Sequence, residues 1–264
     1  MSVTFVHISD THISTNAAYT GKYGRYPANL GAYALVKHIN ELPFDVDFVL
    51  HTGDVIYDPD ESAYAIAADI FSRLRFPIFY VAGNHDHAVG LQTSLLNRAE
   101  SELQYPLHYE YDIKGVQIVG IDSNGPATLP AGYVIPHQLD FLNRICSTND
   151  QRPLIVGIHH NVVKVGFDWL DNYMGTKNGD DVHAVLLQAR HRLRGVFTGH
   201  IHQNLDVVQD GILYSSALSS WFQFIAYEGM EKTTIDDVSL PGFSVVKLAK
   251  DQTLIRRYYF PRPE

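Results

Sequence analysis

The sequence is poor in cysteine, in basic residues and in long apolar runs, and each shortage excludes a class of protein. Cys146 is the single cysteine among 264 residues, so no disulfide can form within the chain. Lys and Arg number 20 against 29 Asp and Glu, which gives a net charge of −9. That sign disfavours a general nucleic-acid-binding protein, whose affinity depends on neutralising phosphates. No apolar run approaches the ~20 residues that span a membrane.

These shortages, together with a strand-like segment almost directly after Met1, predict a soluble cytoplasmic protein and not a secreted one. Hydrophobic residues make up 45% and charged residues 19% of the chain, which is the balance of a folded globular protein. We expect one domain over residues 1–264, with no linker and no membrane partner. The composition is compatible with a homo-oligomer.

Six short apolar segments have the character of buried strands, and each ends in a polar cluster. Helical patterns lie between several of them. Strands that alternate with helices predict parallel sheets built from βαβ units. The predicted strands are 3–8, 46–50, 78–81, 116–121, 154–158 and 195–198, and the predicted helices are 28–42, 61–74, 136–147 and 180–191.

The pattern changes after residue 205. The segment LDVVQDGILYSS predicts a hairpin that turns at Asp210 and Gly211. The segment FSVVKLAKDQTLIRRYYF predicts two further strands, which would complete the sheets as antiparallel members. Residues 228–242 are predicted to be a flexible loop.

The polar clusters at the strand ends gather carboxylates and imidazoles. Because open α/β sheets bind ligands at the carboxyl ends of their strands, these residues are candidates for one common site. Carboxylate and imidazole together suit first-row divalent metals. Each motif alone is weak, but they occur in order and each follows a predicted strand. The candidates are Asp10, His12, Asp54, Asn84, His85, Asp86, His159, His160, His200 and His202.

In order and spacing, five motifs resemble those of the calcineurin-like metallophosphoesterase superfamily: D-x-H at 10–12, G-D at 53–54, G-N-H-D at 83–86, the histidine at 159, and G-H-x-H at 199–202. HISDTH, the segment 132–142, Asp171 and the pair Ser219-Ser220 near Trp221 resemble the class III cyclic-nucleotide and glycerophosphodiester phosphodiesterase branch. That branch usually has proline after its paired histidines, where this chain has Asn161. The resemblance implies a four-layer αββα sandwich, with two mixed β-sheets flanked by helices.

The resemblance also implies a site for two metal ions. One metal would take Asp10, His12 and His202, and the other would take Asn84, His159 and His200. Asp54 would bridge them, since its two oxygens can span metals ~3.5–4 Å apart. Asn84 can bind only through a neutral carbonyl oxygen, so the loaded site would keep a net positive charge that suits phosphate. Iron, manganese, zinc and cobalt are all compatible with these ligands.

The implied reaction is hydrolysis of a small phosphodiester by a metal-bound hydroxide, with a cyclic nucleotide favoured over a glycerophosphodiester. His85 would protonate the departing alkoxide, and Asp86 would orient its ring through the other nitrogen or through backbone contacts. The alternatives are a phosphomonoesterase or a nuclease of the same fold, and an inactive interaction scaffold. The negative charge disfavours a nuclease, and the presence of every implied ligand disfavours a scaffold.

Other polar residues have simpler explanations. We expect His7 and His51 to be packed or hydrogen-bonded within strands, and residues 190–194 to be a solvated helix end. His87 and His160 lie beside candidate residues and would either support the site or face the substrate. The loop 14–29 either selects the substrate or packs at the surface. Its aromatic and basic residues are Tyr19, Lys22, Tyr23, Arg25 and Tyr26.

Overall fold

A computed structural model describes residues 2–22, 24–58 and 60–264. The described residues form thirteen β-strands and five α-helices. The strands are β1 (Ser2–Ile8), β2 (Phe48–His51), β3 (Ile78–Tyr80), β4 (His108–Ile113), β5 (Val116–Ile121), β6 (Leu154–Ile158), β7 (Leu193–Thr198), β8 (Asp206–Gln209), β9 (Ile212–Ser216), β10 (Gln223–Ile225), β11 (Thr234–Asp236), β12 (Gly242–Ala249) and β13 (Gln252–Tyr259). The helices are α1 (Ala28–Asn40), α2 (Glu61–Phe71), α3 (Ala88–Gly90), α4 (Pro136–Cys146) and α5 (Gly179–Leu187).

Most of the strands belong to two mixed sheets. The first has the order β13-β12-β1-β2-β3, in which β1, β2 and β3 are parallel and β12 and β13 are antiparallel. The second has the order β4-β5-β6-β7-β9-β8, in which the four central strands are parallel. The strands β10 and β11 form a separate two-stranded sheet. The parallel strands of both sheets end at the edge where the candidate residues follow.

The two sheets pack face to face and helices cover their outer faces. Phe5 lies between the sheets, stacked on Phe48 at 4.9 Å and edge-on to Phe197 at 5.0 Å. The outer face of the first sheet packs on α1 and α2. The outer face of the second sheet packs on α4 and α5. This is the predicted αββα sandwich.

Local sequence signals explain where the helices start and end. Asp60 caps α2 by accepting a hydrogen bond of 2.7 Å from the backbone N–H of Ser62. Pro136 occupies the first turn of α4, where its missing N–H has no cost. The predicted helix 28–42 ends earlier, at Asn40, because Pro43 disfavours helical backbone at the residue before it.

Two predictions about surface segments are wrong. The segment 190–194 is not a solvated helix end, because α5 stops at Leu187 and Arg192 is buried. The Arg192 guanidinium donates to Gln117 Oε1 at 2.7 Å and to the carbonyl of Ile145 at 2.8 Å. The predicted loop 228–242 contains β11, which pairs with β10. The predicted hairpin at Asp210 and Gly211 is confirmed.

No helix in the described ranges combines the length and the apolar character that crossing a membrane requires.

Candidate functional site

The ends of five parallel strands place five candidate residues at one edge of the sandwich. Asp10, Asp54 and Asn84 follow β1, β2 and β3 of the first sheet, and His159 and His200 follow β6 and β7 of the second. The two sheets are joined here directly, since the backbone N–H of His200 donates to Asp10 Oδ2 at 3.0 Å. The predicted gathering of the motifs at one edge is therefore what the fold produces.

One group of three residues combines Asp10 and His12 of the D-x-H motif with His202 of the G-H-x-H motif. His202 Nε2 lies 3.1 Å from His12 Nε2 and 3.3 Å from Asp10 Oδ1. The other ring nitrogen of His202, Nδ1, lies 2.8 Å from the carbonyl oxygen of Phe222. A carbonyl only accepts, so Nδ1 carries the hydrogen and Nε2 presents a lone pair. All three side chains are buried, and their ligand atoms lie within 4.8 Å of one another.

The second group is built in the same way around His159. Its Nε2 lies 3.1 Å from both Asn84 Oδ1 and His200 Nδ1. Its Nδ1 lies 2.7 Å from the carbonyl oxygen of Thr52 and therefore carries the hydrogen. The lone pair of His159 Nε2 thus points at other electron-rich atoms.

Asp54 lies between the two groups. Its Oδ2 is 3.4 Å from His159 Nε2 and 3.8 Å from His12 Nε2, so one oxygen faces both sets. Its Oδ1 accepts a hydrogen bond of 2.8 Å from the backbone N–H of His85. The carboxylate is therefore held in the orientation that a bridging ligand needs.

The donor set fits metal cations and does not fit an ordinary hydrogen-bond network. In each group a backbone carbonyl fixes the hydrogen of one histidine, His202 or His159, on the far ring nitrogen, so the Nε2 lone pair of that ring faces carboxylate or amide oxygen. Such convergence is repulsive unless a positive charge occupies the centre. Nitrogen and oxygen donors without thiolate are the set that binds first-row divalent metals.

The electrostatics of the site agree with this geometry. Burial alone lowers the pKa of His159, but the carboxylates of Asp54 and Asp10 outweigh burial and raise the pKa to about 9. Burial raises the pKa of Asp54, but the imidazoles of His159 and His85 outweigh it and hold that pKa well below its usual range. The site therefore attracts positive charge at the point where the lone pairs meet.

Backbone strain is concentrated on the same residues. Nine non-glycine residues of the described chain have positive φ, and five of them are candidate ligands. Left-handed backbone is uncommon for residues with a side chain and persists where the surrounding structure imposes it. The five, with φ between 47° and 70°, are Asp10, His12, Asp54, His200 and His202.

Three glycines allow the motif segments to approach closely. A Cβ at Gly83 would clash with the backbone nitrogen of Asp54, and a Cβ at Gly199 would clash with Ser9 Oγ. Gly53 has φ +103°, and a Cβ there would lie 2.6 Å from His159 Nδ1. Glycine at these three positions therefore permits the close approach of the motif segments.

His85 and Asp86 contact different partners. His85 Nδ1 lies 2.8 Å from the carbonyl oxygen of Tyr57, which therefore orients the ring. The Asp86 carboxylate does not hold the ring nitrogen; it accepts hydrogen bonds from the backbone N–H groups of Gly83 at 2.9 Å and Val55 at 3.1 Å. Of the two ways in which Asp86 was expected to act, the structure has the backbone contacts.

His160 is buried beside the candidate ligands but has both ring nitrogens engaged. Nε2 lies 3.1 Å from the carbonyl oxygen of Pro130, so it donates, and Nδ1 lies 2.7 Å from Ser123 Oγ and accepts. Although His160 is near enough to His159 and His200 to form a group with them, it has no lone pair left to offer. His87 is exposed and makes backbone contacts with the Tyr64 hydroxyl.

Asn161 stands where the resemblance led us to expect proline. Its side-chain nitrogen Nδ2 donates to Thr198 Oγ1 at 3.3 Å, and its backbone carbonyl accepts from the N–H of Thr176 at 3.0 Å. The residue therefore ties the end of β6 to the end of β7 and to the segment that precedes α5.

Sequence reasoning missed the apolar side of the site. A cavity of about 150 Å³ is lined on one side by His85 and by five of the seven candidate ligands, namely His12, Asp54, Asn84, His200 and His202. The resemblance already includes the pair Ser219-Ser220 near Trp221, and the alternation of Phe222 and Phe224 around Gln223 in WFQFI is the signal in the sequence for the rest. The apolar lining consists of Tyr57, Pro130, Met174, Phe222 and Phe224.

The loop 14–29 lies behind this lining. Tyr26 donates its hydroxyl to the carbonyl of Ser220 at 2.8 Å, and Trp221 Nε1 donates to the carbonyl of Tyr26 at 3.0 Å. Tyr19 packs on Tyr57 at 4.7 Å. Tyr23 lies outside the described residues. None of the described loop residues lines the cavity, so packing is the role that they visibly have, and a role in substrate choice stays a prediction.

A family model described as calcineurin-like phosphoesterase matches residues 3–204. The chain belongs to this family. The resemblance found in the sequence is thereby confirmed, and the phosphoesterase is a phosphoric ester hydrolase.

The chain is also similar to individual phosphodiesterases and to a solved phosphatase structure. The phosphoesterase is 29% identical over 256 residues to the 3',5'-cyclic adenosine monophosphate phosphodiesterase CpdA of Pseudomonas aeruginosa, covering 96% of this chain and 88% of that protein. It is 24% identical over 214 residues to the probable glycerophosphodiester phosphodiesterase GpdQ of Arcobacter nitrofigilis, covering 81% and 77%. A purple acid phosphatase from yellow lupin shares the fold, with TM-score 0.69 and 15% identity over 98% of this chain and 52% of that one.

Proposed function

We propose that the protein is a dinuclear metal-dependent phosphodiesterase that hydrolyses small phosphodiesters, with cyclic nucleotides favoured. The observation that carries this proposal is the convergence of lone pairs in two adjacent groups that share the Asp54 carboxylate. Two cations next to each other are the charge distribution that such an arrangement accommodates, and a phosphodiester is the anion that two adjacent cations bind.

Each group would hold one metal. Asp10, His12 and His202 form one set of ligands, Asn84, His159 and His200 form the other, and Asp54 belongs to both. When bound, the two metals would lower the pKa of a water molecule and offset the negative charge of the phosphate. The carbonyls of Phe222 and Thr52 keep the imidazoles of His202 and His159 in the tautomer that metal binding requires.

His85 would act on the leaving oxygen. With Nδ1 held by the Tyr57 carbonyl, its other nitrogen, Nε2, is the one left for the substrate, and the ring lines the cavity beside Asp54. A proton donated from Nε2 would allow a basic alkoxide to depart. Asp86 supports this role indirectly, because its carboxylate ties the turn that carries Asn84 and His85 to the segment after Asp54.

The relatives favour a cyclic nucleotide. The similarity to the cyclic adenosine monophosphate phosphodiesterase extends over 96% of the chain. The similarity to a probable glycerophosphodiester phosphodiesterase supports the second candidate, which uses the same centre on a different ester group. An inactive scaffold has less support, because each implied ligand is present and oriented by a hydrogen bond or by backbone geometry.

The test is a substrate panel on protein reconstituted in turn with manganese, iron, zinc and cobalt. We expect about two metals per chain and the largest kcat/KM for a cyclic nucleotide, ahead of glycerophosphodiesters and phosphomonoesters. Higher kcat/KM for a glycerophosphodiester would select the second candidate. Fewer than one metal per chain after reconstitution, without hydrolysis of any ester, would contradict the proposal.

A further inference from the structure

The cavity at the site has two chemically different walls. One wall consists of the candidate ligands, and the other is apolar and includes Met174, Phe222 and Phe224. Phe222 and Phe224 meet edge-on, with ring centroids 5.3 Å apart and planes at 83°. Both are half-buried, so each ring keeps a surface that a bound molecule can contact.

Phe224 and His85 line the same cavity and pack against different candidate ligands. The ring neighbours of His85 are Tyr57 at 5.2 Å and His12 at 4.9 Å. The ring neighbours of Phe224 are Phe222 and, at 5.2 Å, His202. The two residues thus contact different imidazoles of one cavity, His12 and His202. A phosphodiester bound at these ligands can place its leaving oxygen at His85 and its other substituent against Phe224.

Charge is absent from this wall. Among the described residues that line the cavity there is no Lys, Arg or Glu, and the one carboxylate, Asp54, faces the imidazoles. A second ester group that carries an ammonium, a carboxylate or several hydroxyls would lose hydration here without gaining a partner. A planar, uncharged group would bury apolar surface and stack on the rings.

We propose that Phe224, with Phe222 and Met174, is a specificity-determining surface that selects phosphodiesters whose retained ester group is planar and uncharged. This inference rests on the proposed phosphodiesterase activity and adds the residues that choose among its substrates. The base of a nucleoside is such a group, and in a cyclic nucleotide it stays attached to the ribose that bears both ester oxygens, whereas a glycerol headgroup has no planar part.

Phe224 is held rigidly enough for this role. It is the central residue of β10, paired with Ile235 of β11, and its carbonyl accepts a hydrogen bond of 2.7 Å from Gln203 Nε2. Gln203 follows His202 directly, so the wall is fixed relative to the ligand. Phe222 is a poorer residue to mutate, because its carbonyl orients His202.

The test uses two diesters with the same leaving group, phenyl 4-nitrophenyl phosphate and methyl 4-nitrophenyl phosphate. The ratio of their kcat/KM values reports the retained group alone. We expect Phe224→Ala to lower the phenyl-to-methyl ratio by about tenfold relative to the unsubstituted protein, since stacking on an aromatic side chain is commonly worth at least that factor. Phe224→Leu keeps apolar area without a ring and should lower the ratio by about threefold.

Phe44→Ala is the matched control, because Phe44 is a partly exposed phenylalanine that does not line the cavity. It should leave the ratio and both kcat/KM values unchanged. The inference is overturned if metal-loaded Phe224→Ala has the same phenyl-to-methyl ratio as the unsubstituted protein. If Phe224→Ala fails to fold, an unchanged ratio in Phe224→Leu overturns it instead. If the unsubstituted metal-loaded protein hydrolyses neither diester, it is the proposed function that fails.

Discussion

Two groups of buried histidines, those within the strands and those in the segments that follow the strands, have ring nitrogens that meet opposite kinds of partner. His51, at the end of β2, accepts a hydrogen bond from the N–H of Gly53 at Nδ1 and pairs through Nε2 with Thr11 Oγ1 at 3.0 Å. His159 is equally buried, but its Nε2 lone pair faces Asn84 Oδ1, His200 Nδ1 and Asp54 Oδ2.

Burial alone does not separate the two groups, and we propose the direction of the lone pair as the criterion that distinguishes a metal ligand. The partners of His51 complete its hydrogen bonding, so nothing further is needed there. The Nε2 lone pair of His159 faces the oxygens of Asp54 and Asn84, and a positive charge between them would stabilise this arrangement. Three of the four candidate ligand histidines, His12, His200 and His202, have positive φ, whereas His159 and the strand residues His7 and His51 do not. Strain is retained where it aims a ligand.

The largest effect should come from the one residue that serves both groups. We expect Asp54→Ala to lose bound metal and to lower kcat/KM by at least about 10⁴-fold, since each metal contributes several kcal/mol to the transition state. Metal analysis of the purified variant beside its kinetics checks this. Two tightly bound metals in Asp54→Ala would show that the carboxylate does not bridge the two groups. The distinction between ligand histidines and strand histidines would then lose its support from Asp54.

His85 should separate catalysis from metal binding. We expect His85→Ala to retain both metals and to lose about 10²–10⁴-fold activity on an alkyl phosphodiester, whose alkoxide needs a proton. The loss should be much smaller on a nitrophenyl ester, which departs as a stable phenolate. Equal losses on both esters would assign His85 to phosphate positioning, and loss of a metal would make it a ligand.

The adjacent pair His159 and His160 tests the lone-pair criterion most directly, because both rings are buried at the end of β6. We expect His159→Ala to lose one metal, and His160→Ala to keep both and lose about tenfold in kcat/KM through displacement of Pro130. Metal content of the two variants, measured side by side, decides the matter. If His160→Ala loses metal and His159→Ala does not, the criterion is wrong.

The sequence was sufficient for the layers of the fold and for the set of candidate ligands. The candidate ligands can be recognised by their residue type and by their position directly after an apolar strand. The strands β5 and β6 have the predicted bounds. Asp54 and Asn84 were identified in this way although they are 30 residues apart and on different strands.

Features that depend on distant partners were not predictable. The Tyr57 carbonyl orients His85, yet a backbone carbonyl has no signature in the sequence. Arg192 lies in a basic segment but is buried, because Gln117 and two carbonyls from elsewhere in the chain satisfy its guanidinium. Phe224 reaches the site through pairing with Ile235, eleven residues further on, and the pattern there indicated a loop.

The smallest effect concerns the histidines inside the strands, which should govern stability and not metal binding. His7 lies wholly within the core, with Nε2 3.0 Å from Thr52 Oγ1, and burial lowers its pKa from 6.5 to about 3. The unfolded chain therefore binds a proton at this residue between about pH 6.5 and pH 3 that the folded protein does not. Stability that depends on a neutral His7 is complete above pH 6.5 and is lost as the pH falls toward 3.

His7→Leu removes this titration while keeping an apolar side chain of similar size in the core. Between pH 7 and pH 5 the unsubstituted protein should lose about 2 kcal/mol of unfolding free energy that the variant retains. Because both proteins carry the same metal site, its own pH dependence cancels in the difference. Denaturant unfolding at the two pH values measures it, and metal content should be the same in both proteins. An equal loss of unfolding free energy in the variant and in the unsubstituted protein would show that His7 is protonated or solvated in the folded state. The contrast between the two kinds of buried histidine would then be supported only by the candidate ligands.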